Sequence, residues 1–115
     1  MRYMLLIYTR ETDWTSLPKD EQRKIAAEYG AYTESIKASG HYRSGDGLEP
    51  TARARTVRAR NGRPVSTDGP FAETREQLGG YYVIEAKDLD EACALAARMP
   101  GASHGAVEVR PVMEM

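Results

Sequence analysis

Asp68-Gly69-Pro70-Phe71 is where chemistry-bearing and turn-forming residues coincide in this 115-residue chain. A carboxylate at position 68 can serve as a general base or accept a ligand hydrogen bond at a cleft mouth. The same four residues suit a turn. Asp accepts from nearby backbone N–H groups, Gly admits positive φ and Pro fixes its own, while Phe71 is expected to anchor the loop in the core. His41 and His104 are the two histidines, the residue type most often used as general acid or base. Neither has an orienting group beside it in sequence, nor the local carboxylate pattern of a metal site, so no metal is expected.

Seven tyrosines stand against one Phe and one Trp. A phenol buries apolar area but brings a hydroxyl that needs a partner. Tyr8, Tyr29, Tyr32 and Tyr82 fall on surfaces that should be buried, where they either close a core or line a pocket for a small aromatic or polar ligand. The sequence leaves both open. As a catalytic set it offers Asp68 as base or orienter with Tyr29 and His41 as donors. As ligand contacts it offers Tyr8, Tyr32, Asp46, Tyr82 and Arg110. Gly45-Asp46-Gly47 lacks the spacing and strand–helix context of a phosphate loop, so no nucleotide cofactor is expected.

These residues must be positioned by a single domain, since domains most often run to about 100–150 residues. The fractions of 41% hydrophobic and 29% charged residues are globular values. A net charge of −1 supplies no overall field to hold nucleic acid or an anionic membrane. One cysteine, Cys93, excludes an internal disulfide framework and reads as a small core residue. The apolar run at Met4–Tyr8 is too short for a signal peptide or a spanning helix, so a soluble cytoplasmic protein is expected.

Met1–Thr9, with five consecutive apolar residues at Met4–Tyr8, reads as a central strand covered on both faces. Arg10–Leu17 reads as a polar loop. Pro18 opens a helix as a first-turn proline with Asp20 and Glu21 at its positive end, and Ile25, Tyr29, Tyr32 and Ile36 form its buried stripe. Gly40 should end it. His41–Leu48 is a weak strand interrupted by Gly45 and Gly47. Thr51–Arg60 is a better one, and Asn61-Gly62 turns it back over Arg63–Ser66. A loop over Thr67–Leu78 precedes the strand Tyr81–Ala86. Asp88 caps a second helix with Glu91 as capping-box partner, Leu89, Ala92, Leu95, Ala96 and Met99 facing inward. Pro100-Gly101 ends that helix, and Ala106–Val112 is the last strand.

The order β-α-β-hairpin-β-α-β describes an α+β, ferredoxin-like sandwich. Two helices cover one sheet face, yet Met4–Tyr8 and Tyr81–Ile84 are apolar on both. A homodimer packed sheet on sheet covers the other face. Glu108 and Arg110 should share that face as a salt bridge near the dimer cavity. Over His41–Thr67 six Arg oppose Asp46 and Glu49, making the segment +4 and the rest −5. With no aromatic between the arginines of the hairpin, nucleic acid is a weak reading, and protection of an exposed strand edge explains them as well.

Asp68-Gly69-Pro70-Phe71-Ala72-Glu73-Thr74, followed by Glu76-Gln77-Leu78-Gly79-Gly80-Tyr81-Tyr82, resembles the signature of DGPF-domain proteins of the YCII-related superfamily. Met1–Tyr8, Gly45-Asp46-Gly47-Leu48 and Val107–Pro111 fit the same pattern, so the resemblance spans residues 1–115. It implies a dimeric α/β-barrel fold and little about chemistry, because most DGPF proteins lack an assigned reaction. Some relatives are linked to extracytoplasmic-function sigma factors, which implies a regulatory or interaction module as the alternative to small-molecule binding or a cofactor-free lyase or isomerase. The wider superfamily is credited with a His–Asp pair. In ungapped matching Tyr29 and Met99 occupy those positions here, so that pair is not carried over.

Overall fold

The computed structural model describes residues 1–114. Strand β1 (Arg2–Thr9) lies at the centre of a four-stranded sheet, flanked by β5 (Gln77–Glu85) and β6 (Ala106–Pro111), with β2 (Tyr42–Gly47) outside β5. The order is β2-β5-β1-β6 and every pairing is antiparallel. A separate two-stranded ribbon joins β3 (Arg55–Arg60) to β4 (Arg63–Asp68). The chain is therefore α+β with antiparallel sheets.

Helices α2 (Lys19–Ala38) and α3 (Leu89–Ala97) supply the second layer. The alternation along β1 sends Tyr3, Leu5 and Ile7 into the core beneath them, with Tyr82 and Ile84 from β5 and Tyr32 and Ile36 from α2. Leu5, Ile36 and Ile84 are wholly buried. Each contributes about 1.5–3 kcal/mol through burial, which is why the apolar strand run becomes the middle of the sheet. The register slips between Ile7 and Tyr8, where Gly79 is the extra residue opposite β1. Such a bulge increases local twist and re-aims the side chains beyond it.

Several expectations are corrected. Arg10–Leu17 is not all loop: Glu11–Thr15 forms a short helix α1, which ties down the ribbon because the Glu11 carboxylate accepts Thr51 N–H and Thr51 Oγ1, each at 2.7 Å. Thr51–Arg53 is a 3-10 turn rather than strand. β4 runs on to Asp68 and β5 begins at Gln77, so the loop between them is shorter than expected at both ends. Gly101–His104 adds a short helix, α4.

Leu89 is exposed, and so is Cys93. Both lie on α3 away from the stripe Ala92, Leu95 and Ala96 that packs inward. Phe71 is 74% exposed and anchors nothing in the core. Gly45 does not interrupt β2. A Cβ there would fall 2.7 Å from the Tyr82 ring, so the glycine is what lets that ring pack. The Asn61-Gly62 turn is as expected, both residues at positive φ (50° and 75°), as a two-residue hairpin loop requires.

The helix-side phenols find partners inside the layer. Tyr32 donates to Leu95 O at 2.7 Å, Tyr82 and Thr33 share a 2.6 Å hydrogen bond, and the Tyr32 and Tyr82 rings meet edge to face at 5.6 Å. Burial, with the nearby Tyr82 adding to it, pushes the Tyr32 phenol up to about 12. An unfolded tyrosine ionises near pH 10, so the unfolded chain loses this proton first. Stability from this group is full below about pH 10 and falls as pH rises towards 12. Urea titrations between pH 9 and 12 should show that decline in the wild type. In Tyr32→Phe the decline should be shallower, at a cost near neutrality of about 1–2 kcal/mol for the stranded acceptor.

Candidate functional site

Beyond the bulge, Tyr8 turns to the sheet face opposite the helices. An open-sided cavity of about 610 Å³ lies there, lined by Tyr8, Arg10, Thr74, Arg75, Glu76 and Ala106. Its walls come from the end of β1, the start of β6 and the loop before β5. That loop is held by its own side chains: Gln77 Nε2 donates to Ala72 O and Thr74 O at 3.0 and 2.9 Å, and Thr74 Oγ1 donates to Glu76 O at 2.5 Å. The loop closes on itself through these bonds, with Arg75 exposed and Glu76 half-buried.

Gly105 permits the junction. A Cβ at this position would lie 2.1 Å from Tyr8 O and 3.2 Å from Glu76 Oε2. The first of these neighbours is backbone and cannot yield. The carboxylate of Glu76 and the strand carrying Tyr8 thus meet because residue 105 has no side chain. A carboxylate, a phenol, a hydroxyl and two arginines around one cavity can hold a small polar or anionic molecule. They can also move a proton on it, the carboxylate as base and the phenol as donor.

Of the residues singled out from sequence, Tyr8 alone is in the cavity wall. Asp46 and Arg110 belong to the same open sheet face, register partners of Tyr81 and Met4. Asp46 accepts from Tyr81 OH at 2.8 Å, a bond that raises the Tyr81 phenol. Arg110 Nε donates to Glu108 Oε2 at 2.7 Å, the salt bridge expected there. Tyr32 and Tyr82 are in the core described above. Tyr29 is half-buried on α2, its hydroxyl against Gly101 of α4. Burial raises its pKa, and the Gly101 N–H works against that rise.

Asp68 ends β4 with its side chain 91% exposed, facing Arg55 across the ribbon at 3.4 Å. His41 sits between Ser39 Oγ, 2.7 Å from Nδ1, and Glu91 Oε1, 3.3 Å from Nε2. Glu91 also takes Lys87 N–H at 3.0 Å, while Asp88 Oδ1 caps Glu91 N–H, so the expected box closes one residue early. Asp68, Tyr29 and His41 therefore stand apart, at the end of β4, on α2 and in the turn between α2 and β2. No hydrogen bond or ion pair among the described residues joins them.

Sequence reasoning passed over Arg10, Thr74, Arg75 and Glu76. The available signal was their place: Thr-Arg-Glu sits between a rigid turn and an apolar strand, where a loop presents charge at a sheet end.

A family model described as YCII-related domain matches residues 1–115. An uncharacterised protein of Rhizobium meliloti (strain 1021) is 36% identical over 114 residues, covering 97% of this chain and 92% of the relative. Among solved structures, 5-chloro-2-hydroxyhydroquinone dehydrochlorinase from Burkholderia phenoliruptrix AC1100, in complex with 2,5-dihydroxybenzoquinone, superposes with a TM-score of 0.58 at 17% identity. That match covers 100% of this chain and 96% of the dehydrochlorinase. At that identity the likeness is one of fold.

Gly105→Ala should separate cavity geometry from core stability. The variant is expected to lose about 1–3 kcal/mol through backbone displacement at Tyr8. Backbone amide shifts should be confined to residues around 8, 76 and 105, as measured by two-dimensional NMR.

Proposed function

The chain belongs to the YCII-related domain family, and from that premise we propose that it is a cytoplasmic homodimer that binds a small hydroxylated aromatic or similar polar molecule in the Tyr8–Glu76 cavity. We read its chemistry as cofactor-free proton transfer of the lyase or isomerase type. The observation that carries this is the meeting of the Glu76 carboxylate and the Tyr8 strand at Gly105. Glu76 takes a proton from the bound molecule, Arg10 and Arg75 offset the anion that develops, and the Tyr8 phenol holds or returns a proton. The helix-side phenols have partners within the protein and stay out of the reaction.

The open sheet face supports the homodimer. Its helix-free face carries Met4, Leu6, Tyr8, Tyr81 and Val83, all only half-buried. The molecule measures 47 × 44 × 19 Å with a radius of gyration of 15.9 Å, against about 13 Å for a compact chain of this length. The strand order β2-β5-β1-β6 supports reading the sheet as ferredoxin-like. Two such sheets, open face to open face, form a dimeric α/β barrel and close the cavity's open side.

A dehydrochlorinase of similar fold supplies the probes. With 2,5-dihydroxybenzoquinone, saturable stabilisation in a thermal-shift titration is expected, and it should vanish in Glu76→Gln and weaken in Tyr8→Phe. If a chlorinated hydroxyhydroquinone is turned over, chloride release should fall roughly 10²–10⁴-fold in Glu76→Gln. Variants that bind and turn over like the wild type, or no response to any hydroxyquinone, would remove this reading.

A further inference from the structure

The β3–β4 ribbon is firmly rooted and yet uncovered. At its base Gly69 N–H donates to Ala54 O at 2.8 Å, Thr56 Oγ1 donates to Gly69 O at 2.9 Å, and Arg55 faces Asp68. The Asp68-Gly69-Pro70-Phe71 turn is thus the ribbon's root, with Gly69 at φ 103°. Beyond the root both faces meet solvent: of β3 and β4 only Thr56 is even half-buried. An isolated two-stranded hairpin is marginally stable in water. A ribbon held at a fixed angle with neither face covered is built to lie against something else.

Its two faces differ. Directly paired residues share a face, so Arg58 stands with Val65, and Arg60 with Arg63, while Val57, Ala59, Pro64 and the neutral Arg55–Asp68 pair occupy the other. All the excess charge lies on the first face. There Arg58 stacks over the Phe71 ring at 5.1 Å, beside Val65, which is 45% exposed. Exposed aromatic, arginine and aliphatic side chains in one patch have the composition of an interface centre.

The charge balance points to the occupant. Four arginines and one aspartate make residues 55–68 net +3, so in a chain of total −1 the remainder carries −4. A nucleic-acid ribbon belongs with a basic domain, whereas this chain has a pI of about 6.1. The rest of a second copy, at −4, is opposite in sign to the ribbon.

We propose that the β3–β4 ribbon is a dimerisation arm, reciprocally laid by each copy on the body of the other through the Arg58–Val65–Phe71 face. This rests on the homodimer reading and adds to it a second contact, outside the sheet faces, which fixes how the two copies are oriented. Residues 69–76 join the arm to the cavity wall, so seating the arm also bears on the Glu76 loop.

Sedimentation equilibrium of the full chain tests it, using the wild type, Val65→Glu/Phe71→Glu and Arg58→Glu/Arg60→Glu, each checked for native circular dichroism. All four positions are exposed, so folding should survive. The wild type should be a micromolar or tighter dimer whose dissociation constant rises with salt between 50 and 500 mM, as screened opposite charges require. Each arm variant should raise that constant at least tenfold. A wild-type dimer that both variants leave unchanged overturns the arm and leaves the sheet-face dimer standing, whereas a wild-type monomer overturns both. Retention of a short RNA or DNA duplex that Arg58→Glu/Arg60→Glu abolishes, with dimerisation unmoved, assigns the face to nucleic acid and overturns the arm as well.

Discussion

Two helices cannot cover both sides of a four-stranded sheet, and most of this structure follows from that limit. The covered side takes Tyr3, Leu5, Ile7, Tyr82 and Ile84, and with them the core. The uncovered side keeps Met4, Leu6 and Val83 half-exposed, together with Tyr8, next in the same alternation at the end of β1. Transfer of such side chains from water favours burial by roughly 25 cal/mol per Å². The face is therefore incomplete as it stands, and the cavity at its edge shares that incompleteness. Fold, assembly and candidate chemistry all hang on what covers one surface.

The same limit explains the tyrosines. On the covered side a phenol must find an internal acceptor, and Tyr32 and Tyr82 do so at Leu95 O and Thr33 Oγ1. On the open side Tyr81 reaches the Asp46 carboxylate. Tyr8 is left at a cavity beside Glu76. The abundance of one residue type thus serves two purposes, and the strand alternation decides which phenol serves which.

Much of the fold was legible because periodicity and punctuation are local. The apolar run at Met4–Tyr8, the stripe from Ile25 to Ile36, the Asn61-Gly62 turn and the Asp88 cap each act over a few residues. What escaped depends on distance in sequence. Glu11 shapes a helix and holds Thr51, 40 residues on, which no local pattern announces. Phe71 looked like an anchor because phenylalanine usually is one, but the ribbon root turns it outward under Arg58. The candidate site was legible only through Tyr8. Glu76 joins it through Gly105, and that contact exists only once β6 has paired with β1.

The proposed homodimer covers the open sheet face with a second copy. Its most direct test is a methyl nuclear Overhauser measurement on a sample mixed from ¹³C-labelled and unlabelled protein, with a soluble paramagnetic agent as a second readout. Leu6 and Val83 methyls should show cross-peaks to protons of the unlabelled copy and resist broadening by the agent. Absence of any cross-peak between copies, with those methyls broadened as fully as a solvent-exposed side chain, would contradict the account.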